Sequence, residues 1–147
     1  GYEYKPEPGG TVGAQMNIPY CVAAQLLEGD VFVDQFTDDK LADPQMLNQI
    51  KKIEVVADPE IDKLGHSYRH SIMMEVYLKD GRTYSSGRID HRKGSVENPM
   101  THDELLGKFR KLARRVLEEE RVENIIRTTG HLEELEDVTS LAELLKG

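Results

Sequence analysis

The chain has 147 residues, 38% of them hydrophobic and 31% charged, with a formal net charge of −8. That length suits one domain with a real core; no apolar run approaches the roughly 20 residues needed to span a bilayer, and the acidic balance argues against a nucleic-acid surface. Cys21 is the only cysteine, so neither an intrachain disulfide nor a multi-cysteine metal site can form, which points to a reducing, cytoplasmic compartment.

The opening GYEYKPEPGGTVGA shows neither an initiator methionine nor a signal-peptide pattern. Its proline and glycine clusters over residues 6–13 predict an extended or loose lead-in, 1–13, with a domain boundary expected just upstream. Next, AQMNIPYCVAAQLLEG carries a helix with both ends marked. Asn17 caps, Pro19 suits the first turn and Gly29 suits the left-handed stop, so the helix is predicted over 18–28. Val22, Ala23, Ala24, Leu26 and Leu27 make it nearly apolar all round, which predicts an internal helix. Tyr20 stands in its first turn and is not needed by the caps.

Residues 30–43 carry Asp30, Asp34, Asp38 and Asp39 without the alternation and central glycine of a calcium loop, so a solvated loop or short helix is expected. Asp43-Pro44 opens a second helix with a Leu47, Ile50, Ile53 stripe. IEVVADPE, residues 53–60, reads as a short strand because it is β-branched and stopped by Asp58-Pro59. In SIMMEVYLKDGRTYSS, Ile72, Met74, Val76 and Leu78 alternate onto one face. Asp80-Gly81 supplies a two-residue turn, giving antiparallel strands at about 71–79 and 82–88.

Thr101 and Glu104 form a capping-box pattern that starts a long helix at His102. Leu105, Phe109, Leu112 and Val116, widened by Leu106, Ala113 and Leu117, predict a broad buried face. Two shorter helices follow, one over 122–129 ended by Gly130 and one opened by a Ser140/Glu143 capping box. The fold class is therefore α+β: a small antiparallel sheet packed by helices, with helices closing the chain.

Three constellations invite chemistry. His66 and His70 have metal-ligand spacing, but the segment is a poor helix and lacks a third ligand nearby, so a polar loop before a strand is expected. RIDHRKG, residues 88–94, gathers three cations beside a glycine ahead of a helix start. It suits a carboxylate or phosphate, with Arg92 and Lys93 as candidate substrate-binding residues, and it suits a charged surface connection equally well. Cys21, in an apolar helix without an adjacent histidine, reads as a small inert hydrophobe.

Four segments in order, AQMNIPYCVAAQLLEGDV, VYLKDGRTY, GSVENPMTHDELLGKF and HLEELEDVTSLAELL, together resemble the carboxyl-terminal part of the MmgE/PrpD family. The resemblance implies a lid-type α+β domain over 14–100 and helices over 101–147 that rejoin a large helical domain lying outside this chain. It implies a lyase or isomerase, with a 2-methylcitrate dehydratase-like carbon–oxygen lyase as the expectation. Such an enzyme acts on small di- or tricarboxylates by proton abstraction and elimination, with no metal or organic cofactor. It also implies a homo-oligomer and a domain inactive alone, since most catalytic groups lie upstream. The one carried-over catalytic residue is Tyr20, at the helix-start tyrosine of the family, although Met16-Asn17 replaces the usual aromatic-serine pair. A phenol there would donate a hydrogen bond to substrate; a tyrosine packed at a helix start with its hydroxyl on a backbone carbonyl is the structural alternative. A stand-alone interaction module with exposed helices is the other reading of the whole chain.

Overall fold

A computed structural model describes residues 3–146 of the chain. Contacts divide the chain into two compact units, Gly1–Glu60 and Ile61–Gly147. The division falls inside the 14–100 stretch that the resemblance treats as one lid-type domain.

The first unit is helical. Helix α1 spans Pro6–Gln15 and α2 spans Ile18–Glu28, followed by a 3-10 turn at Val33–Phe36, the short helix α3 at Asp38–Leu41, and α4 at Pro44–Ile50. The loose lead-in expected over 1–13 is therefore corrected. The chain turns helical at Pro6, where no amide donor is required, and tertiary contact outweighs the weak helix propensity of the glycines. Ala14 is fully buried against α2, and the Tyr4 hydroxyl ties the segment down by donating to the Leu41 carbonyl at 2.9 Å.

Helix α2 has the caps read from sequence. The Asn17 side chain accepts from the Tyr20 amide at 2.9 Å, and Gly29 takes the left-handed conformation at φ 73°. Its burial is one-sided, contrary to the expected internal helix: Tyr20, Ala23 and Ala24 are buried, while Ile18 and Leu26 stay exposed. The core gathers these residues with Ala14, Leu41 and Met46. In α4, capped by Asp43 through the Gln45 amide, the fully buried side chain is Met46, while the expected Leu47, Ile50, Ile53 stripe is only partly buried.

The strand expected over 53–60 does not form. Val56 is 73% exposed and no neighbouring strand satisfies the backbone, so β-propensity alone does not make a strand there. Helix α5 begins instead at Pro59 and ends at Asp62.

In the second unit, β1 (Ile72–Tyr77) and β2 (Thr83–Ile89) pair antiparallel, as the sequence predicts. The connection differs from the predicted two-residue turn. Leu78 and Arg82 close a three-residue loop, Lys79-Asp80-Gly81, in which only Gly81 has positive φ, at 87°. A turn followed by one left-handed glycine serves the same reversal. The ladder also carries a bulge: Ser86 and Gly87 together face Met74, Gly87 sits at φ 62°, and Ser86 Oγ accepts the Met74 amide at 2.9 Å. Ile72, Met74 and Leu78 remain more than a third exposed, so the apolar face is largely uncovered.

Helix α6 spans His102–Ala113, α7 spans Glu119–Gly130 and α8 spans Thr139–Leu145. The Thr101/Glu104 capping box is formed in both directions, at 3.2 and 2.7 Å. The broad face of α6 is not buried as expected: Leu105 is 55% and Leu112 39% exposed, and Val116, beyond the helix end, is 80% exposed. Helix α7 starts before the predicted residue 122 and includes Gly130. It buries Val122 and Ile125 and clasps α6 through a forked Arg110–Glu123 pair at 2.6 and 2.8 Å. The Ser140/Glu143 box is absent: Asp137 accepts the Thr139 amide at 2.9 Å, and Glu143 pairs with Lys146. Arg121 donates to the Glu143 and Leu144 carbonyls, both at 2.8 Å, supplying a cation at the carboxyl end of α8. Among the described residues no helix is long and apolar enough to cross a membrane.

Candidate functional site

The local sequence places Tyr20 at the third helical position, because the Asn17 cap fixes where α2 begins. From there the ring enters the core of the first unit. It lies 4.9 Å from the Tyr4 ring and 5.5 Å from the Phe36 ring, stacked on the latter. Its hydroxyl donates to the Gln35 carbonyl at 2.5 Å, and the residue is fully buried. Burial first, then the neighbouring Tyr4 and Glu28, push the phenol up to about 12, which makes it a poorer acid. Within this chain the ring is packed with its hydroxyl on a backbone carbonyl, the arrangement of the structural alternative.

A polar chain continues outward from that carbonyl. Gln35, itself buried, accepts the Phe32 amide at 2.9 Å and donates to Glu28 at 3.0 Å, while Lys40 meets the other Glu28 oxygen at 2.6 Å. Lys40 and then Gln35 hold the Glu28 carboxyl below its ordinary value. Cys21 is half-buried with its thiol pushed up by burial, in keeping with an inert hydrophobe.

The two cations singled out in the loop after β2 separate. Lys93 is taken by Glu104 at 2.8 Å, which couples it to the α6 cap. Arg92 lines a cleft of about 490 Å³ in the second unit. The cleft exists because Ile72 pairs with Ile89, which brings the segments flanking the hairpin stem together; Ser71 donates to Asp90 at 2.8 Å. One wall comes from residues 67–70 and the other from 90–97. Arg69, on the first wall beside His70, is not singled out by the sequence, since its relation to Arg92 depends on strand pairing. The available signal was that HSYRH and RIDHRKG sit just outside the two ends of one hairpin.

His66 and His70 do not form a metal pair with a third ligand: no group of three or more His, Cys, Asp or Glu that could hold a metal occurs among the described residues. Arg69 instead rests its Nη1 on the His66 ring, 3.1 Å from Nδ1.

The sequence pattern of the MmgE/PrpD C-terminal domain matches residues 3–134. Over 147 residues the chain is 35% identical to a cis-aconitate decarboxylase-like protein of Aspergillus oryzae, covering 100% of this chain and 30% of that protein. It is 32% identical over 146 residues to the cis-aconitate decarboxylase of Homo sapiens, covering 99% of this chain and 30% of the relative. Against the cis-aconitate decarboxylase of Aspergillus terreus the identity is 29% over 147 residues, covering 99% of this chain and 29% of the relative. The chain belongs to the MmgE/PrpD family and carries its C-terminal domain. It spans about 30% of the length of the curated relatives it matches.

Proposed function

We propose that the chain is the C-terminal domain of a lyase that decarboxylates a small tricarboxylate of the cis-aconitate kind. The observation that carries this reading is the match, over essentially the whole chain, to relatives bearing that activity in their names. Loss of carbon dioxide leaves an electron pair on carbon that must be protonated, while cationic or neutral donors hold the remaining carboxylates. The first unit offers its tyrosine hydroxyl to a backbone carbonyl, and the second offers an open charged cleft without an enclosed acid–base pair. The reacting groups are therefore assigned outside this chain, which is inactive by itself and works with the helical domain implied by the family, in a homo-oligomer.

Dehydration of a 2-methylcitrate-like substrate, the expectation from sequence, instead removes a proton from carbon and expels hydroxide, whereas decarboxylation expels carbon dioxide and delivers a proton to carbon. The names of the relatives support decarboxylation. The test replaces the matching segment of human cis-aconitate decarboxylase with this chain. The hybrid is expected to release carbon dioxide from cis-aconitate, and the 147-residue chain alone to turn over neither cis-aconitate, 2-methylcitrate nor iminodisuccinate. A hybrid that dehydrates 2-methylcitrate and leaves cis-aconitate untouched would overturn the decarboxylase assignment. Turnover by the chain alone would overturn the assignment of the reacting groups elsewhere.

A further inference from the structure

The cleft beside the hairpin stem is lined by two arginines, two histidines and two acids, Asp90 and Glu97. Two arginines line it from separate segments, Arg69 before β1 and Arg92 after β2. Among the described residues Arg69 meets the His66 ring nitrogen at 3.1 Å, and Arg92 acts on Glu97 only at longer range.

The acids at the cleft are already engaged. Asp90 receives the Arg88 guanidinium at 2.8 and 3.1 Å and the Ser71 hydroxyl at 2.8 Å. Glu97 bonds within its own loop: its own amide first, then Ser95, and more weakly His91 and Arg92, hold its carboxyl below the ordinary value, with His91 at 3.8 Å. The loop that bears Arg92 is internally bonded: the Gly94 amide donates to the Asn98 carbonyl at 2.8 Å and the Asn98 side chain to the His91 carbonyl at 3.1 Å. Arg92 therefore projects from an ordered turn. Both arginines line the same cleft as His70, whose imidazole is held below its usual value by burial first and then by Arg69, Arg92 and His66.

We propose that this cleft binds a small oxyanion carrying two or more negative charges, with Arg69 and Arg92 as its ligands. Guanidinium forks match phosphate and carboxylate oxygens in pairs, and two forks contributed to one cleft from separate segments favour a multivalent anion over a monovalent one. Phosphate and polycarboxylate present the same chemistry, and the experiment separates them. The inference stands on the cleft alone and does not depend on the lyase reading.

Isothermal titration of the 147-residue chain with inorganic phosphate, and separately with citrate, is expected to show saturable binding of at least one, in the millimolar range or tighter. Phosphate alone would assign a phosphoryl ligand, and citrate alone a polycarboxylate. Replacing both Arg69→Gln and Arg92→Gln should weaken binding about tenfold or more. Arg92→Lys, which keeps the charge and loses the fork, should fall between, and Arg127→Gln on α7 should leave affinity unchanged. Circular dichroism of each variant checks that the helices persist. Absence of saturable binding with both anions, or unchanged affinity in a folded double variant, overturns the proposal.

Discussion

The Tyr20 hydroxyl donates to the Gln35 carbonyl at 2.5 Å within a core closed over by Tyr4 and Phe36. Removing that hydroxyl strands a buried acceptor, so Tyr20→Phe should destabilise the chain by about 1–3 kcal/mol. Chemical denaturation followed by circular dichroism measures it. In a complete enzyme the same change should leave turnover within a few-fold of the parent; a hundredfold loss with unchanged stability would restore Tyr20 to the reaction.

Glu104 is held at about 2, first by Lys93 and then by the Thr101 backbone amide. A carboxyl held low in the folded chain keeps its charge to lower pH than it does unfolded. Its stabilising effect is full above the ordinary value of 4.5 and is lost as pH falls toward about 2. Thermal melts should therefore show a fall in stability across that window that is smaller in Glu104→Gln. Equal acid sensitivity of parent and variant would remove Glu104 as the cause.

Gly81 occupies φ 87° in the hairpin loop, a conformation L-residues adopt at a cost. Open space surrounds the position where a Cβ would stand, so the penalty is backbone strain and not collision. Gly81→Ala is expected to cost the hairpin about 1–2 kcal/mol. Amide exchange at Val76 and Tyr84, partners in the ladder, reads it out directly.

The start of α8 depends on Asp137, whose carboxylate accepts the Thr139 amide at 2.9 Å. Asp137→Ala should speed amide exchange through Thr139–Leu145, while Glu143→Ala, which removes the glutamate of the unformed box, should have the smaller effect. The reverse order would reinstate the Ser140/Glu143 cap.

Where ends and reversals are local matters, the chain could be read directly. Asn17, Gly29 and the Thr101/Glu104 pair act within four residues, so the limits of α2 and the start of α6 followed from short-range chemistry. The hairpin followed from alternation, although its loop has one residue more than the turn dipeptide suggested. Ser140 and Glu143 had the right spacing for a cap, but Asp137 accepts the Thr139 amide and the helix begins one residue before Ser140, which leaves Ser140 inside it.

Sequence by itself determined the α+β class, the family and the starts of α2, α4 and α6, because these depend on neighbouring residues and on ordered motifs. Only the tertiary structure decided which side chains are hidden and which meet. Burial of Ala14 made a helix of a glycine-rich opening. The absence of a neighbouring strand left residues 53–58 without regular structure. The Gln35 carbonyl, 15 positions along the chain, receives the Tyr20 hydroxyl inside the core. Pairing of Ile72 with Ile89 brought Arg69 and Arg92 to one cleft, a juxtaposition set by contacts that no local spacing encodes.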